Sequence, residues 1–135
     1  MRLRFLPAIL IAAVTTAALT GCSSSPSTTG NDLVGTWTGT HAGYEGPEAV
    51  YVERSLTLVV QEANGQAFFG YKQWTDELGN VADEMMKGAV TEDGQITIVY
   101  TDGLIEGVVS GSTLTATSVE MGEDGAVLEV ELTKQ

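Results

Sequence analysis

The chain has 135 residues, with 6 Lys and Arg against 18 Asp and Glu, and a formal net charge of −12 at pH 7. So acidic a chain lacks the basic face that nucleic-acid binding needs. One cysteine excludes an internal disulfide, and one histidine excludes a multi-histidine metal site.

Met1-Arg2-Leu3-Arg4 is a short basic start, and residues 5–19 form an uncharged apolar run interrupted by Pro7, Thr15 and Thr16. The run has signal-peptide length, too short for a comfortable bilayer span, and it lacks the helical alternation of a soluble-core segment. It ends in Leu19-Thr20-Gly21-Cys22. This order resembles the signal of bacterial lipoproteins, the lipobox. The resemblance implies that residues 1–21 are cleaved and that Cys22 is acylated. The alternative is an uncleaved N-terminal anchor. Acylation accounts for the single cysteine, and two or more acyl chains hold a protein at a membrane stably. Ser23 follows the cysteine, in place of the aspartate that in some two-membrane bacteria resembles an inner-membrane retention signal. The expected location is the cell envelope, on the outer face of the cytoplasmic membrane or on the outer membrane, the latter favoured where two membranes exist.

Residues 22–31 combine the acylated cysteine with a Ser-, Thr-, Gly- and Pro-containing stretch that has nothing apolar to bury, so a flexible tether is expected. Such a stretch reaches roughly 15–20 Å. Residues 32–135 are then one domain. Four basic residues remain after cleavage (Arg54, Lys72, Lys87 and Lys134) against all eighteen acids, a net charge of −14. That charge disfavours docking on anionic lipid without the acyl anchor. It serves solubility, or it marks a cationic ligand or partner.

The domain reads as strands separated by turn dipeptides: Asn64-Gly65, Gly79-Asn80, Asp93-Gly94, Asp102-Gly103, Gly111-Ser112 and Asp124-Gly125. Eight strands are predicted, over 33–41, 50–62, 66–75, 83–91, 95–101, 104–110, 113–121 and 126–133. No helix is predicted after the signal segment, because no long run keeps a 3.6-residue period. The fold class is therefore all-β, an eight-stranded antiparallel up-and-down barrel whose closure removes exposed edges. Alternation gives the core as Leu56, Leu58 and Val60; Ile96, Ile98 and Tyr100; Leu114 and Ala116; and Leu128, Val130 and Leu132. Glu129 and Glu131 point outward, as do Thr113, Thr115 and Thr117.

Gly35-Thr36-Trp37 opens the first strand, and Gly65 to Tyr71 forms a later hairpin arm. Together they resemble the calycin group of lipocalins and avidin-like barrels. The resemblance implies that Trp37 packs at the closed base. Biotin sites of avidin-like proteins resemble a cage of several tryptophans. This chain has two, Trp37 and Trp74, so biotin binding is not expected.

If strand one runs from base to mouth, several polar residues share the core phase in the upper half. They are His41, Arg54, Lys72 with Trp74, Tyr100, Glu106 (in phase with Leu104 and Val108), Ser118 and Glu120. A barrel of eight strands is just wide enough to be filled or to hold one small ligand. The expectation is an apolar floor and a polar mouth that binds a small polar or amphipathic molecule. Polar strand ends are also ordinary, and Arg54 with Glu106 or Glu120 can be a structural ion pair. Residues 41–49 are expected as the longest connection, either a lid or a passive loop. Strand three places Phe68 and Trp74 on one face and Phe69 and Tyr71 on the other, so one pair faces outward and offers a surface for an envelope protein partner.

No catalytic constellation is evident, and no cofactor is implied. Ser-His-Asp chemistry finds no arrangement. The acid pairs Asp76-Glu77, Asp83-Glu84, Glu92-Asp93 and Glu123-Asp124 lie at turns and do not match a calcium-binding loop. Only Glu106 with Glu120 offers a formal carboxylate pair for hydrolysis. The expected function is a non-catalytic, lipid-anchored envelope lipoprotein that binds a small ligand at the barrel mouth. The alternative is a protein-interaction module.

Overall fold

A computed structural model of the chain describes residues 27–76 and 78–135. The expected signal segment, Cys22 and the first part of the expected tether lie outside the described residues. A four-residue helix, α1 (Gly30–Leu33), precedes eight strands: β1 (Gly35–Glu45), β2 (Val50–Asn64), β3 (Ala67–Thr75), β4 (Val81–Val90), β5 (Gln95–Tyr100), β6 (Gly103–Ser110), β7 (Thr113–Glu120) and β8 (Ala126–Lys134). Each strand pairs antiparallel with the next, and β1 pairs with β8, so the sheet closes into an up-and-down barrel in sequence order. One β-bulge interrupts the β2–β3 register between Val60 and Glu62.

The inward positions form the core. Trp37, Leu56, Leu58, Met86, Ile98, Ile105, Leu114, Leu128, Val130 and Leu132 are all fully buried. Met86, Ile105 and Val130 have no solvent exposure at all, so the middle of the barrel is packed with side chains. Strand register shows how neighbouring walls meet: Leu114 lies opposite Leu132, Ala116 opposite Val130, and Ile98 opposite Ile105. Burying such apolar surface is the main stabilising term in a domain without disulfides.

Helix α1 is a departure from the all-strand expectation, and it closes the base. Leu33 is buried beneath the barrel, and the Trp37 indole Nε1–H donates to the Leu33 carbonyl at 2.8 Å. Lys134 Nζ donates to the Asp32 carbonyl at 2.7 Å. Asp32 accepts from the Thr29 N–H and hydroxyl, which holds its carboxyl below the usual range. Thr28 N–H reaches the Glu92 carbonyl and Gly30 N–H the Gly65 carbonyl, both at 2.9 Å. Residues 28–31, expected as the end of the tether, thus belong to the packed base. One turn of helix carries no recognisable period, which is why the sequence did not reveal it.

Two further expectations change. The expected long loop over 41–49 is mostly strand: β1 continues to Glu45 and β2 begins at Val50, leaving residues 46–49 as the connection. The β1–β2 ladder leaves no segment there to act as a lid. In β6 the inward residues are Ile105 and Val109, while Glu106 and Val108 are exposed. Both phases of Leu104-Ile105-Glu106-Gly107-Val108-Val109 carry apolar residues. Alternation alone cannot choose between them, and pairing with β5 and β7 does.

Candidate functional site at the barrel mouth

Above the packed floor, a cavity of about 140 Å³ opens at the end opposite α1. His41, Glu45, Arg54, Lys72, Trp74, Glu84, Tyr100, Asp102, Glu120 and Leu128 line it. Six of the eight residues predicted for the mouth are therefore brought together here: His41, Arg54, Lys72, Trp74, Tyr100 and Glu120. Ser118 sits just beneath, fully buried, with its hydroxyl 2.8 Å from the Tyr100 hydroxyl. Glu106 is the exception. Its outward phase in β6 pairs it with Thr97 and Thr117 on the outer surface.

The lining has two charged centres. Arg54 makes a bidentate pair with Glu45, Nη1 to Oε2 and Nη2 to Oε1, each at 2.6 Å. The Arg54 hydrogen bonds hold the Glu45 carboxyl below the usual carboxylate range. Across the cavity, Lys72 is buried and its Nζ donates to Glu120 Oε1 at 2.7 Å. The same ammonium lies 3.9 Å from the centre of the Tyr100 ring and 5.1 Å from the Trp74 ring. Cation–π attraction is strongest where the cation has been stripped of water, as here. Burial pushes the Tyr100 hydroxyl up to about 12, so it remains protonated and donates. Arg54, expected to pair with Glu106 or Glu120, pairs with Glu45, and Glu120 pairs with Lys72.

His41 lies at the bottom of this group. It is buried, and neither Nδ1 nor Nε2 has a hydrogen-bond partner. Burial, and then the positive charge of Lys72, lower its pKa below the ordinary value. The ring is therefore neutral at pH 7, with one donor and one acceptor nitrogen, both buried and unpaired. Unpaired buried polar atoms are uncommon in folded proteins and call for an explanation.

Sequence reasoning missed four lining residues. Glu45 lies on the inward phase of β1, four residues after His41, and was hidden by ending the strand at 41. Glu84 shares its phase with buried Met86 in β4 and accepts the Thr101 N–H at 2.6 Å. Asp102 belongs to the turn between β5 and β6. Leu128 had been assigned to the core, where it also packs. The lining carries four carboxylates against two basic side chains, a negative balance in line with the chain as a whole. Among the described residues, no group of three His, Cys, Asp or Glu is placed to hold a metal ion.

A larger hollow of about 930 Å³ lies at the base, lined by residues such as Thr28, Glu92, Ser110, Ser112 and Lys134. It is open to solvent and sits where the chain enters the barrel. Beside it Gln66 donates from Nε2 to the Thr28 carbonyl at 3.2 Å and leaves its buried Oε1 unpaired, whereas the smaller mouth brings an unpaired His41 together with two ion pairs. Comparison of the chain with protein-family models and with curated proteins finds no match.

Proposed function

We propose that this chain is a non-catalytic, lipid-anchored lipoprotein of the cell envelope whose barrel mouth binds a small polar molecule. The lipoprotein part rests on the basic start, the apolar run and Leu19-Thr20-Gly21-Cys22. The binding part rests on one observation: His41, buried under a polar mouth, offers two ring nitrogens that the protein itself does not engage.

The dimensions narrow the ligand. A volume of about 140 Å³ lies well under the roughly 300–1,000 Å³ of sites for drug-sized ligands. It corresponds to only four or five waters at roughly 30 Å³ each. The floor is filled, so a long acyl chain has nowhere to go. With four carboxylates and two engaged cations around the cavity, the favoured ligand carries an amino group along with hydrogen-bonding groups. Its amine would meet Glu84 and Asp102 at the rim while a polar group reaches His41.

Isothermal titration and thermal shift against a set of small amines, amino acids, carboxylates and sugars test this reading. Saturable binding by amine-bearing members is expected, weakened by His41→Phe and by Asp102→Asn. The rim substitution leaves the core untouched, so it separates lost binding from lost folding. The proposal fails if no compound in the set shifts the melting temperature and native mass spectrometry of the protein from its own cells shows only the bare chain.

A further inference from the structure

The outer wall around the mouth carries a second pattern, independent of the cavity. Tyr51 lies opposite Tyr44, Tyr44 opposite Val127, Val127 opposite Val119, Val119 opposite Leu104, and Leu104 opposite Val99. These six residues form one outward-facing apolar row across β2, β1, β8, β7, β6 and β5. Tyr44, Tyr51, Val127 and Val99 are 60%, 59%, 58% and 49% exposed, and the two tyrosines stack edge to face at 5.5 Å. Above the row, Met121 on the β7–β8 connection is 67% exposed.

The row has a sharp lower edge. One step toward the base, the outward residues on the same strands are Glu53, Ala42, Glu129, Thr117, Glu106 and Thr97, again partners in register. Three of the six are acids. Above the row lie Glu48, Asp102, Glu123 and Asp124 in the connections. The only basic residues in these six strands are Arg54 and Lys134, and both occupy the inward-facing phase, next to Glu45 and Trp37. An apolar stripe lies between two acidic levels, with no basic side chain on the outer face of those strands.

From this pattern we infer that the outer rim of the mouth is a docking surface for a polypeptide whose contact face is apolar and flanked by Lys or Arg. Contiguous exposed apolar surface marks interaction sites, and tyrosine is enriched among the residues that dominate binding energy. The closed barrel presents no free strand edge, so the partner must lie across the strands and read side chains. Charge selects the occupant. A second copy of this chain would bring its own acidic levels against these, and anionic lipid is repelled in the same way. Zwitterionic lipid carries each ammonium beside a phosphate, so it offers the flanking carboxylates no net positive charge.

The test couples the chain to a surface through a tag placed after Gln135, whose backbone N–H donates to the Thr36 carbonyl at the base of the barrel, and measures three synthetic helical peptides: Lys/Leu, Lys/Ser and Glu/Leu. The Lys/Leu peptide is expected to bind at least about tenfold more tightly than Lys/Ser, and Glu/Leu not at all. Tyr44→Ser with Tyr51→Ser should weaken Lys/Leu binding by about tenfold or more. Glu106→Lys with Glu129→Lys should weaken it as well, and Val108→Thr, outside the row, should leave it unchanged. Near-ultraviolet circular dichroism checks that each variant is folded. Equal binding of Lys/Leu and Lys/Ser, or indifference to the tyrosine pair, would overturn the proposal. So would row-dependent self-association in sedimentation, or equal row-dependent capture of zwitterionic vesicles.

Discussion

The ammonium of Lys72 lies 3.9 Å from the centre of the Tyr100 ring and 2.7 Å from Glu120 Oε1, which also accepts from the Tyr100 hydroxyl at 3.5 Å. A buried ammonium has lost most of its water, and here the Glu120 carboxylate and the aromatic rings stand in its place. Removing one member of such a pair is more damaging than removing the charge altogether. Glu120→Gln is expected to lower the unfolding free energy by about 2–3 kcal/mol. That is somewhat less than a fully buried pair would show, since Glu120 is one-third exposed. Lys72→Met should lower it by about 1 kcal/mol or less, because Glu120 can turn to water. Urea titration of both variants and of the double variant measures the asymmetry. Equal effects would mean that the ammonium is not held desolvated.

His41 sets the stability at mildly acidic pH. Its folded-state pKa lies below the ordinary 6.5, first through burial and then through Lys72. Below 6.5 the unfolded chain takes up a proton that the folded chain refuses, so stability rises with pH in that window. The contribution is fully present above 6.5 and is lost as pH falls toward the folded value. The melting temperature should therefore decline from pH 6.5 downward, ahead of a further decline that starts below 4.5, the ordinary carboxylate value, and runs down to the lower folded value at which Glu45, held down by its hydrogen bonds from Arg54, takes up a proton. His41→Leu should flatten the first decline and leave the second. A wild-type melting temperature unchanged between pH 7 and 5 would contradict this.

Two inward glycines fix how closely strands cross. A Cβ at Gly39 would overlap the Glu131 carbonyl oxygen, and one at Gly70 the Val59 carbonyl oxygen. Either Gly→Ala change forces backbone apart in a closed ladder that cannot shift locally. Each is expected to lower stability by about 3 kcal/mol or more, in the range of severe core overpacking. Gly111→Asn provides the contrast. That turn residue has φ +60° with open space around it, and asparagine tolerates this conformation, so the change should be within about 1 kcal/mol. Thermal unfolding of the three variants separates the two roles of glycine.

Base closure gives a fourth expectation. Leu33→Ala removes the side chain that plugs the barrel under Trp37 and should lower stability by about 2–4 kcal/mol, as for other buried leucines. The Trp37 indole keeps its bond to the residue 33 carbonyl, so its fluorescence should report a more solvated ring without loss of the barrel. An unaltered spectrum and stability would show α1 to be a passive attachment.

Legibility in the sequence followed a simple rule. Strands with one clearly apolar phase were readable residue by residue, as in Leu128-Glu129-Val130-Glu131-Leu132, because one register alone buries the apolar set. Lys72 and His41 were placed in the mouth for the same reason: each sits in phase with aromatic neighbours on its own strand. In β6, with apolar residues on both phases, the same reasoning turned Glu106 inward when it faces out. Helix α1 was invisible because a single turn has no period to detect.

By itself the sequence determined the closed all-β architecture. Turn dipeptides and alternating strands of similar length leave few other ways to bury one face. It also determined the acidic balance and the lipobox-like start. Tertiary structure alone decided which charges meet. Arg54 finds Glu45 nine positions away along a hairpin, whereas Lys72 finds Glu120 across the barrel, 48 positions away. It also aligned Tyr44, Val127, Val119, Leu104 and Val99 into one row. Spacing along a strand fixes the face of a residue, but its level on the barrel follows from the register of every strand between it and its neighbours. That register depends on turn lengths and a bulge summed around the closed sheet, which no local segment encodes.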